Sequence, residues 1–110
     1  MIRVTLFRKD GAYTGYTCSG HAGFAEEGSD IICSAVSVLA INTANSLEAF
    51  TGDRLDVQEA EDGGFLSVNL EQPISDEAQL LLRSLALGLK TIEDTYGRDY
   101  IRVKEQTRPD

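Results

Sequence analysis

Residues 28–52 read GSDIICSAVSVLAINTANSLEAFTG. Apolar residues recur along this stretch without strand alternation, over a length that a helix accommodates and a strand of about 4–8 residues does not. Asp30 is the expected N-cap, because its carboxylate can accept from the unpaired backbone N–H groups of a first turn. The helix is expected to start near Asp30, run to about Phe50 and stop at Gly52. It is apolar almost all round and rich in Ala and Ser, which predicts a buried, closely packed helix. A single long core helix among short segments points to a layered domain, and the flanking sequence says which kind.

On the N-terminal side, IRVTLFR (residues 2–8) places Ile2, Val4 and Leu6 on one face of a half-buried strand. Asp10-Gly11 is a turn signal, and AYTGYTC (12–18) reads as the return strand of a hairpin. On the C-terminal side, RLDVQEA (54–60) and FLSVNL (65–70) form a second hairpin across EDGG. Pro73 follows, and SDEAQ opens a second helix with a Ser or Asp cap and acids at the positive end of the dipole. Leu80, Leu81, Leu85, Leu89 and Ile92 are its expected apolar stripe, and Gly97 its stop. YIRVK (100–104) is a last strand, and EQTRPD a polar tail. The order β-β-α-β-β-α-β, with hairpins dominant, predicts an α+β fold in two layers: a mostly antiparallel sheet with two helices. Residues 1–110 are read as a single domain.

Apolar residues make up 42% of the chain, an ordinary share for a globular domain. The run IICSAVSVLAINTA reads as too short and too polar to span a bilayer, and the N-terminus carries no signal-peptide pattern; a cytoplasmic protein, away from membranes, is expected. The net charge is −8, with 18 acidic and 10 basic residues. General nucleic-acid binding is not expected from such a balance, because phosphates need Lys and Arg to neutralise them; an acidic surface suits a basic partner. The two cysteines, Cys18 and Cys33, and one histidine, His21, do not supply the four ligands of a structural zinc site.

The chemistry-bearing residues cluster in GHAGFAEEGSDIICSAVS, residues 20–37. With Asp30 as cap, Cys33 falls at the third helical position, beside free N–H groups and the positive end of the dipole. That placement favours a thiolate, and the same N–H groups can hold the oxyanion of an attacked acyl carbon. His21 is the one residue able to serve as acid and base near neutral pH. Asp30 can cap the helix or orient the histidine, and Ser37 stands one turn beyond Cys33 on the same face. By themselves these residues leave blander readings open. A cysteine in an apolar helix or strand is commonly core, a lone histidine commonly structural, and Ser37 a small packing residue.

The motif GHA, a glycine-containing loop and DIICSAVS resembles the signature of the ribosomal-processing cysteine protease (Prp) family, and the element order is similar over nearly the whole chain. Phe24 stands where family members often have Tyr, and Ile32 where they often have Val. The resemblance implies Cys33 as nucleophile, His21 as proton donor and acid/base partner, and supporting roles for Asp30 and Ser37, with no cofactor and no metal. It implies removal of the N-terminal extension of a basic large-subunit ribosomal protein, in support of ribosome maturation, and a homodimer. It also implies that residues 22–29 form a loop that moves when substrate binds. Two other readings compete: a non-catalytic adaptor for ribosomal proteins or assembly factors with Cys33 buried, and a thiol redox sensor in which Cys18 lies close to Cys33.

Overall fold

Ile2, Val4 and Leu6 are buried while the residues between them are exposed or half-exposed, so β1 (Ile2–Lys9) has one apolar face. The computed structural model describes residues 1–20 and 29–109, with side chains on the second stretch from Ile31 onward. β1 turns at Asp10 and Gly11, both at positive φ, into β2 (Ala12–Ser19). Then come α1 (Ser29–Phe50), β3 (Leu55–Glu59), β4 (Phe65–Leu70), α2 (Asp76–Tyr96) and β5 (Ile101–Thr107). The expected α+β order is the observed one.

The five strands form one sheet in the order β3-β4-β2-β1-β5. Three pairings are antiparallel, and β5 lies parallel to β1. The sheet is thus mostly antiparallel, as expected, with one parallel edge. Leu6 pairs with Tyr16 on one side and Glu105 on the other. Tyr16 reaches α1 and Glu105 reaches α2, so both helices cover the same face. Val4, Leu6, Tyr16 and Val68 from the sheet meet Ile32, Val36, Ala40 and Leu47 of α1, and Leu82, Leu85 and Leu89 of α2, in one core.

Two polar links seat the helices. The Tyr16 hydroxyl, fully buried, donates to the Ala40 carbonyl at 2.7 Å. Asp53 accepts from both the backbone N–H and the hydroxyl of Ser75, the N-cap of α2, whose oxygen accepts from Ala78 N at 3.1 Å. The Asp53 N–H donates to Thr51 Oγ1, whose hydroxyl donates to Leu47 O, so the end of α1 is tied to the start of α2.

Four expectations need correction. Ser29 is already helical, so Asp30 is the second residue of α1 rather than its cap, and Cys33 the fifth rather than the third. Asp in a first turn still complements the dipole, which is why the sequence signal is off by one step. α1 is not buried all round: Ile31 is 64%, Val38 65% and Phe50 75% exposed, because the sheet and α2 cover only part of its circumference. By length and composition Ile31–Phe50 is apolar enough to cross a membrane; its inner face instead forms the core on the sheet. On α2, Leu80 points outward and Leu82 takes the buried position. Finally, Glu105, Gln106 and Thr107 are strand, not tail, since β5 pairs with β1 from Ile2↔Ile101 to Arg8↔Thr107.

Glu105 sits between Lys90 (2.6 Å) and Arg8 (2.7 Å) and accepts from the Tyr13 hydroxyl. The Lys90 and Arg8 hydrogen bonds outweigh burial and hold its carboxyl down at about 2. A depressed carboxylate stabilises the fold above its unfolded value near 4.5, and that contribution is lost as pH falls toward about 2. Glu105→Gln is therefore expected to lower the melting temperature at pH 7 and to reduce its drop between pH 5 and pH 2.5. Parallel melting curves for the two proteins check this.

Candidate active site

Cys33 is half-buried on α1 and faces a cleft of about 210 Å³ between α1, the end of β2 and the β3–β4 hairpin. Ser37, one turn on, lines the same cleft, as the i, i+4 spacing requires. A helical Cα–Cβ bond tilts toward the N-terminus, so the thiol of Cys33 leans over the first turn even though the residue belongs to the second. Asp30 is placed by its backbone alone, in that first turn. Of the predicted moving loop, residues 22–29, Ser29 is instead the first residue of α1, and residues 22–28, like His21, lie outside the described residues.

The residue before His21 is closely held. Gly20 has φ +88°, lines the cleft, and donates its N–H to the Gly64 carbonyl at 2.9 Å. A Cβ there would stand 2.3 Å from the Met1 carbonyl oxygen, so only glycine fits both the backbone angle and the space. The partner turn is equally built: Gly63 has φ +77°, its N–H donates to Ala60 O, and Gly64 N–H donates to Asp62 Oδ1. The hairpin that carries Glu59, Gly63, Gly64, Phe65 and Leu66 to the cleft reads in the sequence only as a turn. Its role appears through the β2–β4 pairing, Cys18↔Leu66 and Ser19↔Phe65, a long-range register with no local signal.

Cys18 also borders the cleft, from the sheet side. Both cysteines are thiols. Burial pushes the Cys18 thiol up to about 12, so it stays protonated, and it packs into the core as the sequence predicts. A half-buried thiol over a helix start, opening on a cleft floored by apolar side chains, is an arrangement for attacking an acyl carbon held from outside.

The arrangement is that of a cysteine hydrolase, and comparison with known proteins sharpens the class. Residues 1–102 match the family described as Cysteine protease Prp. The chain is 32% identical over 108 residues to the Ribosomal processing cysteine protease Prp of Bacillus subtilis, covering 94% of this chain and 96% of that one. It superposes with a TM-score of 0.87 on the crystal structure of the essential ribosomal processing protease Prp from S. aureus bearing a covalently linked product peptide, at 32% identity, covering 96% and 100% of the two chains. The same S. aureus protease with a substrate peptide superposes equally, at 31% identity over 96% of this chain and 100% of that one. This chain belongs to the Prp family of cysteine proteases.

Two measurements bear on the site. Iodoacetamide applied to the folded protein is expected to label Cys33 and spare Cys18, as read by peptide mass, because alkylation needs an accessible thiolate. Gly20→Ala is expected to cost about 1–3 kcal/mol of stability, the scale of a backbone held in a sparsely populated region. It should also reduce cleavage by more than the lost folded fraction explains, since it displaces the segment leading to His21.

Proposed function

We propose that the protein cleaves the N-terminal extension from a basic large-subunit ribosomal protein, acting as a cytoplasmic homodimer. The observation that carries the reading is the Cys33 thiol at the cleft, in a chain whose relatives are ribosomal processing proteases. Cys33 attacks the peptide carbonyl as a thiolate, and backbone donors at the start of α1 stabilise the oxyanion. His21 protonates the leaving amine and then activates the water that releases the acyl enzyme. Asp30 and Ser37 support the site. The chemistry itself calls on no metal, cofactor, nucleic acid or membrane.

Acidic groups suit the basic substrate. Glu59 stands on the cleft wall, with Glu61 and Asp62 exposed beside it on the hairpin. A homodimer is supported by the uncovered apolar residues Ile31 and Val38, which lie on α1 away from the cleft lining, a grouping of the kind that marks association surfaces.

Incubation with the extended ribosomal protein, followed by sequencing of the new N-terminus, tests the activity. Cys33→Ala is expected to abolish cleavage without unfolding, since Ala suits a helix. His21→Ala is expected to slow turnover by roughly two to four orders of magnitude, the scale of a lost acid/base group, with substrate binding retained. Full activity in the Cys33 variant overturns the assignment. Val38→Asp is expected to shift the protein from dimer to monomer in light scattering.

A further inference from the structure

The face of the sheet turned away from the helices carries the opposite charge from the molecule as a whole. Seven of the ten basic residues, Arg3, Arg8, Lys9, Arg98, Arg102, Lys104 and Arg108, lie on β1, β5 or the residues flanking them. Strand alternation and register sort them further. Arg3 pairs with Arg102 across the parallel β1–β5 ladder, and Thr5 pairs with Lys104. On the other side Arg3 pairs with Ser19, Thr5 with Thr17, and Thr17 with Ser67. These residues alternate with the core positions Val4 and Leu6, so all of them share the open face.

Among the described residues, the carboxylates seen in ion pairs serve other cations. Glu105 takes Arg8 and Lys90, Glu93 takes Arg98, and Glu71 takes Arg54. None reaches Arg3, Arg102 or Lys104, and all three are exposed. The one carboxylate on the open face of the described strands is Asp56, at the far edge on β3, opposite Asn69. Like charges side by side on neighbouring strands destabilise a sheet, and here Arg3 and Arg102 stand directly opposite. Arg102 is steadied by donating through Nε to Arg98 O at 3.2 Å. Arg3, Thr5, Ser19, Arg98, Arg102 and Lys104 line a depression of about 350 Å³. Further along the same face the Arg108 guanidinium covers the Phe7 ring at 4.0 Å and donates to Asn69 Oδ1.

We propose that this open sheet face docks a single strand of RNA through its phosphodiester backbone. Cations without carboxylate partners supply the attraction to phosphate. The hydroxyls of Thr5, Thr17 and Ser19 stand beside them as partners for phosphate oxygens and for the ribose 2′-OH, the group that separates RNA from DNA. Net charge points away from nucleic acid only because it averages two faces that the fold keeps apart. The depression and the catalytic cleft meet at Ser19, which borders both. Among the described residues Ser19 is the one that the two linings share, so RNA on the open face and peptide in the cleft otherwise use different side chains, and the two functions are separable.

The probe is a fluorescent twelve-nucleotide RNA of mixed sequence, followed by anisotropy from 25 to 150 mM salt with the full chain. Saturable binding is expected, tighter than for DNA of the same sequence. Neutralising about three phosphates of a single strand sets a slope of log affinity against log salt of about −2. The double variant Arg3→Gln, Lys104→Gln is expected to weaken binding roughly tenfold and to flatten the slope by about 1.4, since each contact carries about 0.7. It should keep its melting temperature and its cleavage of the ribosomal-protein substrate. The charge-matched variant Arg54→Gln, Arg83→Gln, altered elsewhere, should bind RNA as the parent does. Equal losses in the two double variants, no saturable binding at 25 mM salt, equal affinity for DNA, or polyglutamate binding as tight as RNA each overturn the proposal. Because cleavage is measured separately, loss of the RNA reading leaves the protease reading standing, and the reverse.

Discussion

The hydrogen bond from Tyr16 to the Ala40 carbonyl sets the position of everything at the cleft. A phenol with no exposure must find a partner or cost about 1–3 kcal/mol, and burial raises its pKa so that it remains a donor. The acceptor lies near the middle of α1, about two turns beyond Cys33, and the donor lies on the strand that also carries Cys18 and ends at Gly20. One contact thus fixes helix against strand, and with it the thiol against the segment leading to the histidine. The chain from Thr51 through Asp53 to Ser75 does the same for the far end of α1, so the helix is held near its middle and at its C-terminal end.

The two cysteines show how position on that scaffold separates similar side chains. Both border one cleft. Cys18 stands on the sheet among Tyr16, Leu66 and the core, where desolvation disfavours its charged form. Cys33 stands on the helix at the open side. The difference is one of solvent, not of sequence context, and it assigns Cys18 to packing while leaving Cys33 available for chemistry. The adaptor reading, which needs Cys33 buried, meets a half-buried thiol facing open space instead.

Charge follows the same division into layers. Exposed acids line the β3–β4 hairpin beside the cleft, and Arg3, Arg102 and Lys104, which meet no carboxylate among the described residues, occupy the bare face of β1 and β5. A two-layer fold with helices on one side leaves the other side of its sheet to solvent. That side tolerates polar and charged residues in every alternate position, so a strongly acidic chain can present a basic surface without contradiction.

The sequence by itself determined the element order, the hairpins and the helix spans to within a residue or so, and it marked Cys33 as the candidate nucleophile. Period-two alternation in IRVTLFR, the turn glycines and the Ser75 cap are local signals with local causes. So is the motif that places Cys33 and Ser37 one turn apart, and it carried the family resemblance as well. What the tertiary structure decided is long-range: which faces are covered, which strands adjoin, and who neighbours whom. Apolar composition could not tell that Ile31 and Val38 would stay exposed, because coverage depends on where α2 and the sheet end. Glu105, Gln106 and Thr107 are too polar to read as strand, and they become one because β1 offers a ladder along its whole length. Gly20 and the hairpin at Gly63 and Gly64 look like ordinary turn residues until β2 pairs with β4 and brings them together at the cleft. Pairing register has no signature within any single segment, since it is fixed by the joint burial of residues far apart in the chain.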